Sequence, residues 1–155
     1  MTPNIRPLAA ADHAGWLPLW RAYQEFYRVD LPAEATAALW SRLLDPAEPV
    51  HGALAWDGDA PVGLAHWLTH RSTWSVADFC YLNDLYVRPE VRRGGVGRRL
   101  IEHVAAQASA AGCERVYWLT HETNATARAL YDRVATRTGF IHYSIRLDKP
   151  AARPK

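Results

Sequence analysis

Apolar positions recur along this chain with two periods, and the switch between them marks out its elements. Ile5 to Leu8 reads as a short first strand. After Asp12, a side chain suited to an N-cap, Trp16, Leu19 or Trp20, Tyr23 and Tyr27 follow at steps of three and four, which predicts an amphipathic helix. The segment Tyr27 to Pro32 breaks that period. Pro32 opens a second helix carrying Ala38, Leu39, Arg42 and Leu43, and Asp45-Pro46 ends it, because the residue before a proline disfavours helical backbone.

Beyond that point the period changes to two. Val50 to Trp56 and Pro61 to His70 flank Asp57-Gly58-Asp59, and Asp-Gly between such runs predicts a hairpin. A polar loop, Arg71 to Ser75, leads to Phe79–Val87, whose aromatic and branched residues fit a strand covered on both faces; Pro89 ends it. Val96, Leu100, Ile101, Val104, Ala105 and Ala108 form one helical face, with Gly112 placed as its C′ residue. Val116 to Thr120 reads as another central strand. Ala127, Leu130, Tyr131 and Val134 return to helical spacing, and Phe140 to Leu147 alternates as a closing strand. The expected fold is α/β: one domain over 1–148, a mixed sheet with an antiparallel first half and a strand–helix–strand unit in the second, about four flanking helices, and a loose tail over 149–155.

Composition narrows the function classes. A chain of 155 residues, 49% apolar and 22% charged, suits one soluble globular domain that needs neither disulfides nor metal to fold. The formal charge of +2 gives no global field of the kind nucleic-acid binders carry. Lysine occurs only at Lys149 and Lys155, so nearly all positive charge is arginine, which can fork onto phosphate. Cys80 and Cys113 show neither zinc nor disulfide spacing and suit a reducing, cytoplasmic setting. The first residues carry no apolar signal core, and no run is long enough to span a membrane.

Chemistry concentrates in Arg92-Arg93-Gly94-Gly95-Val96-Gly97, between the Phe79–Val87 strand and the next helix. Glycines let a ligand approach the backbone, and a helix start offers unpaired N–H groups at its positive dipole end. The combination suits a phosphate. Arg88, Arg92, Arg93, Arg98 and Arg99 surround it, and a glycine-rich turn beside a solvated arginine face would show the same residues. Arg98-Arg99 stand where a nucleotide-binding P-loop has Lys-Ser/Thr, and Leu100 stands where a dinucleotide fingerprint needs a small residue. Nucleoside triphosphates and NAD are therefore disfavoured, and flavins are less clearly excluded.

Arg92-x-x-Gly95-x-Gly97, after Asp84-Leu85-Tyr86-Val87 and Pro89, resembles the acyl-coenzyme A motif of the GNAT superfamily of N-acetyltransferases. Asn124-x-x-Ala127-x-x-Leu130-Tyr131 followed by Gly139-Phe140 is similar to that superfamily's later helix and closing strand. The pair spans Cys80 to Leu147, and Asn83 to Pro89 with Trp118-Leu119-Thr120 look most like the small-amine and Hpa2-like members.

The resemblance implies acetyl-coenzyme A as co-substrate, with no metal, lying where the strands at Leu85–Val87 and Val116–Thr120 splay apart. Its pyrophosphate would rest on Arg92, Arg93, Gly94, Gly95, Val96, Gly97 and Arg98, and its pantetheine on the backbone of Leu85, Tyr86 and Val87. A main-chain N–H near Leu85–Tyr86 would face the thioester oxygen. Tyr131, which spacing alone reads as helix core, would by the resemblance donate to the departing sulfur. Asn124 would bond the coenzyme, cap its own helix, or both. Many relatives place an acidic pair ahead of the motif; here the pair is Asn83-Asp84, so Asp84, a water held by Asn83, or a group from elsewhere in the chain would take the proton of the amine. Strand alternation puts those two side chains on opposite faces. Tyr27, Trp74 and His121 would line the acceptor side, for a small-molecule or peptide amine; His66 and His70 read as structural. The implied protein is a cytoplasmic N-acetyltransferase, by superfamily habit a homodimer, binding neither nucleic acid nor membrane. A non-catalytic acyl-coenzyme A sensor on the same fold is the alternative, and an arginine-rich RNA-binding module the third reading.

Overall fold

The structure, a computed structural model, describes residues 2–147. Its regular elements follow the predicted order: β1 (Asn4–Pro7), α1 (His13–Phe26), α2 (Ala33–Leu44), β2 (Val50–Asp57), β3 (Ala60–His70), β4 (Phe79–Val87), α3 (Val96–Ala110), β5 (Arg115–Tyr117) and α4 (Ala125–Val134). The five strands form one sheet in chain order, antiparallel from β1 to β4 and parallel between β4 and β5. Gly58, at φ +58°, makes the left-handed turn between β2 and β3 that the Asp-Gly signal predicts. Gly112, at φ +81°, takes the C′ position beyond α3.

Helices cover both faces of the sheet. On one, α3 and α4 pack Val96, Leu100, Ile101, Val104, Leu130 and Tyr131 against Ala53, Ala65, Trp67, Cys80 and Leu82. On the other, α1 and α2 pack Trp16, Leu19, Trp20, Tyr23 and Leu43 against Leu54, Leu64 and Tyr86. Trp16, Leu19, Leu54, Leu64 and Leu100 are fully buried, each worth roughly 1.5–3 kcal/mol of transfer free energy. Asp12 stands at the N-terminus of α1, but its carboxylate is turned to Arg6, at 2.9 and 3.0 Å, and to the Ala9 N–H, at 2.8 Å, which ties β1 to α1.

Three expectations need correction. The strand expected over Val116–Thr120 ends at Tyr117, because only Arg115, Val116 and Tyr117 have partners on β4. Phe140–Leu147 pairs with nothing among the described residues and forms no strand; a strand exists only where a neighbour accepts its N–H and C=O groups. The third concerns Asn83 and Asp84, described with the site. The proposed boundary at 148 and the tail over 149–155 lie outside the described residues.

Candidate active site

The arginine-glycine segment begins α3 as its sequence requires. A 3₁₀ turn over Pro89–Val91 closes β4. Arg93 and Gly95 are left-handed, at φ +73° and +80°, a conformation strained for an arginine. Such left-handed residues gather successive N–H groups into a concave anion cradle. Gly94 N–H is used internally, on the Val91 carbonyl at 3.3 Å. The first bond of α3 runs from Arg99 N–H to the Gly95 carbonyl, at 3.1 Å, so the N–H groups of Val96, Gly97 and Arg98 precede any intrahelical acceptor. Part of the arginine cluster serves the fold: Arg88 Nε donates to the Pro61 carbonyl, Arg92 Nε to the Val87 carbonyl, each at 2.9 Å, and Arg98 pairs with Glu102. Arg92 also lies over the rings of Phe26 and Tyr86.

Beyond the cradle the sheet opens. β5 pairs only with Phe79, Cys80 and Tyr81, and from Leu82 to Val87 the β5-facing side of β4 has no strand beside it among the described residues. Leu85 and Val87 turn partly buried side chains toward α3, Tyr86 a buried one toward α1. Tyr131, on α4, packs edge-on to Trp118, ring centroids 5.4 Å apart. Burial, and then the charge of Tyr27 from the α1 side, push the Tyr131 phenol up to about 12. Tyr27 is itself raised by burial and by Asp84. The phenol of Tyr131 is therefore protonated at neutral pH and available as a donor.

Asp84 sits opposite His66 in a buried cross-strand pair, His66 Nδ1 to Asp84 Oδ2 at 3.0 Å. Trp16 Nε1, which can only donate, bonds His66 Nε2 at 2.9 Å; that nitrogen accepts, so Nδ1 carries the hydrogen and donates to the carboxylate. Tyr23 donates to the same carboxylate, and burial followed by the Asp84 charge raises its pKa far above its ordinary value.

The Asn83-Asp84 pair departs from the alternation rule. His66 pairs with Asp84 but Trp67 pairs with Leu82, which leaves Asn83 as the extra residue of a β-bulge. Before the bulge Cys80 and Leu82 face α3; after it Asp84 and Tyr86 face α1. Asn83 and Asp84 are thereby side by side, Asn83 Nδ2 donating to Asp84 Oδ1 at 2.9 Å. A two-residue period holds only while the ladder is regular, and one inserted residue resets it.

The remaining candidates divide. Asn124 caps α4, its side chain accepting from Ala127 N–H at 3.4 Å. His121 lies in the turn before α4, its Nδ1 2.7 Å from Thr123 Oγ1 and accepting from Thr123 N–H. Trp74 is 81% exposed on the loop between β3 and β4. The structure brings together Tyr27, Asp84, Asn83 and Tyr131, and keeps His121 and Trp74 in exposed loops. His70 is structural, bonded to Tyr117 and to the Arg71 carbonyl. Sequence reasoning missed Tyr23 and His66 as partners of Asp84, and Trp16 as the partner of His66. Their helical and strand periods marked them as core or structure, and no one-dimensional signal sets the register that unites them.

Comparison with known proteins agrees with this architecture. The model of the acetyltransferase (GNAT) family matches residues 16–135. The D-amino-acid N-acetyltransferase HPA3 of Saccharomyces cerevisiae is 39% identical over 142 residues, 90% of this chain and 88% of that protein. A thialysine N-epsilon-acetyltransferase of Caenorhabditis elegans is 39% identical over 85 residues, 55% of this chain, and the match spans about half of that protein, 52%. A solved probable acetyltransferase superposes with a TM-score of 0.82 at 23% identity, over 94% of this chain and 99% of its own.

Proposed function

Because the chain belongs to the acetyltransferase (GNAT) family, we propose that it transfers an acetyl group from acetyl-coenzyme A to the primary amine of a small molecule, with amino acids and their close analogues as the acceptor class. The observation that carries this reading is the gap between β4 and β5, with an anion cradle at one end and Tyr131 and the Asp84 network reaching it from opposite faces of the sheet. The N–H groups of Val96, Gly97 and Arg98, with Arg93 and Gly95, suit the pyrophosphate. The open edge of Leu85 to Val87 suits an extended chain of amides.

The transfer forms a C–N bond and breaks a C–S bond. An amine arrives as ammonium and must lose a proton before its lone pair attacks. Asp84 is only 5% exposed, so its route to the amine runs through Tyr23, which passes its own proton to the carboxylate as it takes one from the ammonium side. His66 and Asn83 hold the two carboxylate oxygens in place for that exchange. Tyr131 gives its proton to the departing sulfur. Tyr27 lies between the two proton-handling groups and borders the acceptor. The free thiols of Cys80 and Cys113 support a reducing, cytoplasmic setting.

The test is thiol release on mixing enzyme, acetyl-coenzyme A and a panel of D- and L-amino acids, thialysine, polyamines and aminoglycosides. Turnover with an amine is expected, and Asp84→Asn should lower kcat by roughly 10²–10⁴-fold while the thermal shift with acetyl-coenzyme A persists. Binding without turnover across the panel would sink the enzymatic reading and favour the sensor.

A further inference from the structure

Trp16 is a core residue by its burial, yet its indole N–H is spent on a polar partner. Nε1 of Trp16, on α1, donates to Nε2 of His66, on β3, at 2.9 Å, and Nδ1 of His66 donates to Oδ2 of Asp84, on β4, at 3.0 Å. Trp16, His66 and Asp84 are 0%, 2% and 5% exposed. Three elements thus build one buried chain of donors and acceptors that ends on the proton-accepting carboxylate. The transfer proposed above leaves its first member, Trp16, without a task.

The direction of the chain is fixed at Trp16. An indole N–H donates and cannot accept, so the nitrogen it faces carries no hydrogen. A second proton on His66 would have to go to that nitrogen, and the new N–H would point at the indole N–H. Two donors would then stand unsatisfied away from water, which costs the desolvation of both. β4 brings to the imidazole the Asp84 carboxylate and, beside it, the Asn83 amide. α1 brings the Tyr23 phenol, which donates to Asp84, and the rings of Trp16 and Trp20, with centroids 6.0 and 5.1 Å from His66. Tyr27, just past α1, feels the same carboxylate charge. His13 and, from α2, Trp40 pack on Trp16, and β2 contributes Gly52 beside His66. Asp84 is the anion of this set and draws a proton toward His66; the indole N–H opposes it. An imidazolium against Asp84 would stabilise the charged carboxylate and weaken it as a proton acceptor, whereas a neutral N–H donor holds the same oxygen at less cost to its basicity.

We propose that Trp16 is a positioning residue for the transfer: its N–H keeps His66 a neutral imidazole with its hydrogen on Nδ1, which orients Asp84 Oδ2 and leaves the carboxylate able to receive the proton that Tyr23 passes on. This role rests on the catalytic reading of Asp84; the tautomer of His66 does not.

Steady-state kinetics of Trp16→Phe, which keeps an aromatic ring and removes the N–H, tests it. With His66 able to take a proton in the ordinary imidazole range, the ratio of variant to wild-type kcat/KM should fall at least about tenfold from pH 8 to pH 5. In the background His66→Gln, whose amide can still donate to Asp84 but does not titrate, the same substitution should produce no such fall. An indole that only packs gives a loss equal at every pH in both backgrounds, and that result overturns the proposal. Should the variants not fold, the wild type decides. In long-range proton–nitrogen correlation spectra of histidine-labelled protein, the ring identified by its proximity to the Trp16 indole proton should carry its hydrogen on Nδ1 alone between pH 5 and 8, and a hydrogen on Nε2 in that range overturns the proposal. A pH-independent loss in an enzyme that turns over overturns this inference alone. A wild type that transfers to no amine overturns the catalytic reading, and with it the role of Trp16.

Discussion

Burial and the neighbouring Tyr27 lift the Tyr131 phenol to about 12, and that displacement has kinetic and stability consequences. Removing the hydroxyl, Tyr131→Phe, should cut kcat by roughly 10²-fold or more while changing the KM for acetyl-coenzyme A little, which steady-state kinetics will show. Because the folded pKa lies above the ordinary value of 10, the contribution of Tyr131 to stability is complete below pH 10 and is lost as pH rises through about 12. Alkaline unfolding of the Phe variant should therefore be shallower over that window. Asp12 behaves in the opposite sense. Burial raises its pKa, but the Arg6 guanidinium and the Ala9 N–H outweigh it and leave the carboxyl below its ordinary 3.8. Its stabilising effect is present above that value and fades as pH falls through the lower folded one, so Asp12→Asn should flatten the acid limb of a melting-temperature profile.

Among the elements, β4 decides the site and glycines set its clearances. A Cβ on Gly63 would stand 3.0 Å from the Tyr86 carbonyl oxygen and 3.1 Å from Leu100 Cδ1, so Gly63→Ala should wedge β3 from β4 and cost about 1–3 kcal/mol in denaturant unfolding. On Gly97 the nearest atom would be Leu130 Cδ2, at 3.2 Å, the end of a flexible side chain. Gly97→Ala should thus weaken acetyl-coenzyme A binding, read by calorimetry, more than it lowers the melting temperature. The bounds of β4 were legible, since a run rich in aromatic and branched residues begins at Phe79 and Pro89 ends it. Its bulge was not. The choice between a regular ladder and one extra residue is made by how β3 packs against it, and a single strand's sequence carries no record of that register.

For the whole molecule, a ligand that binds only the folded state stabilises it in proportion to its saturation. Acetyl-coenzyme A at a hundred times its Kd should add about 2.7 kcal/mol, measurable as a rise in melting temperature. The single domain, the mixed sheet and the placement of α3 after β4 were readable from periods of two and 3.6 and from proline and glycine positions. Which residues influence one another across the sheet was not, because Tyr27, at the end of α1, and Tyr131, on α4, lie more than a hundred residues apart in sequence and only packing brings the charge of one to bear on the other.

By itself the sequence determined the local preferences: which stretches coil, which extend, where the chain turns, and that a glycine-rich helix start would offer N–H groups to an anion. These depend on φ/ψ limits and side-chain shape within a few residues. Only the tertiary structure decided that Asp84 is bonded by His66, Asn83 and Tyr23, and that Phe140–Leu147 finds no strand partner among the described residues. Hydrogen bonds and strand pairing join groups that are distant along the chain, and their existence depends on where the packed elements bring both partners.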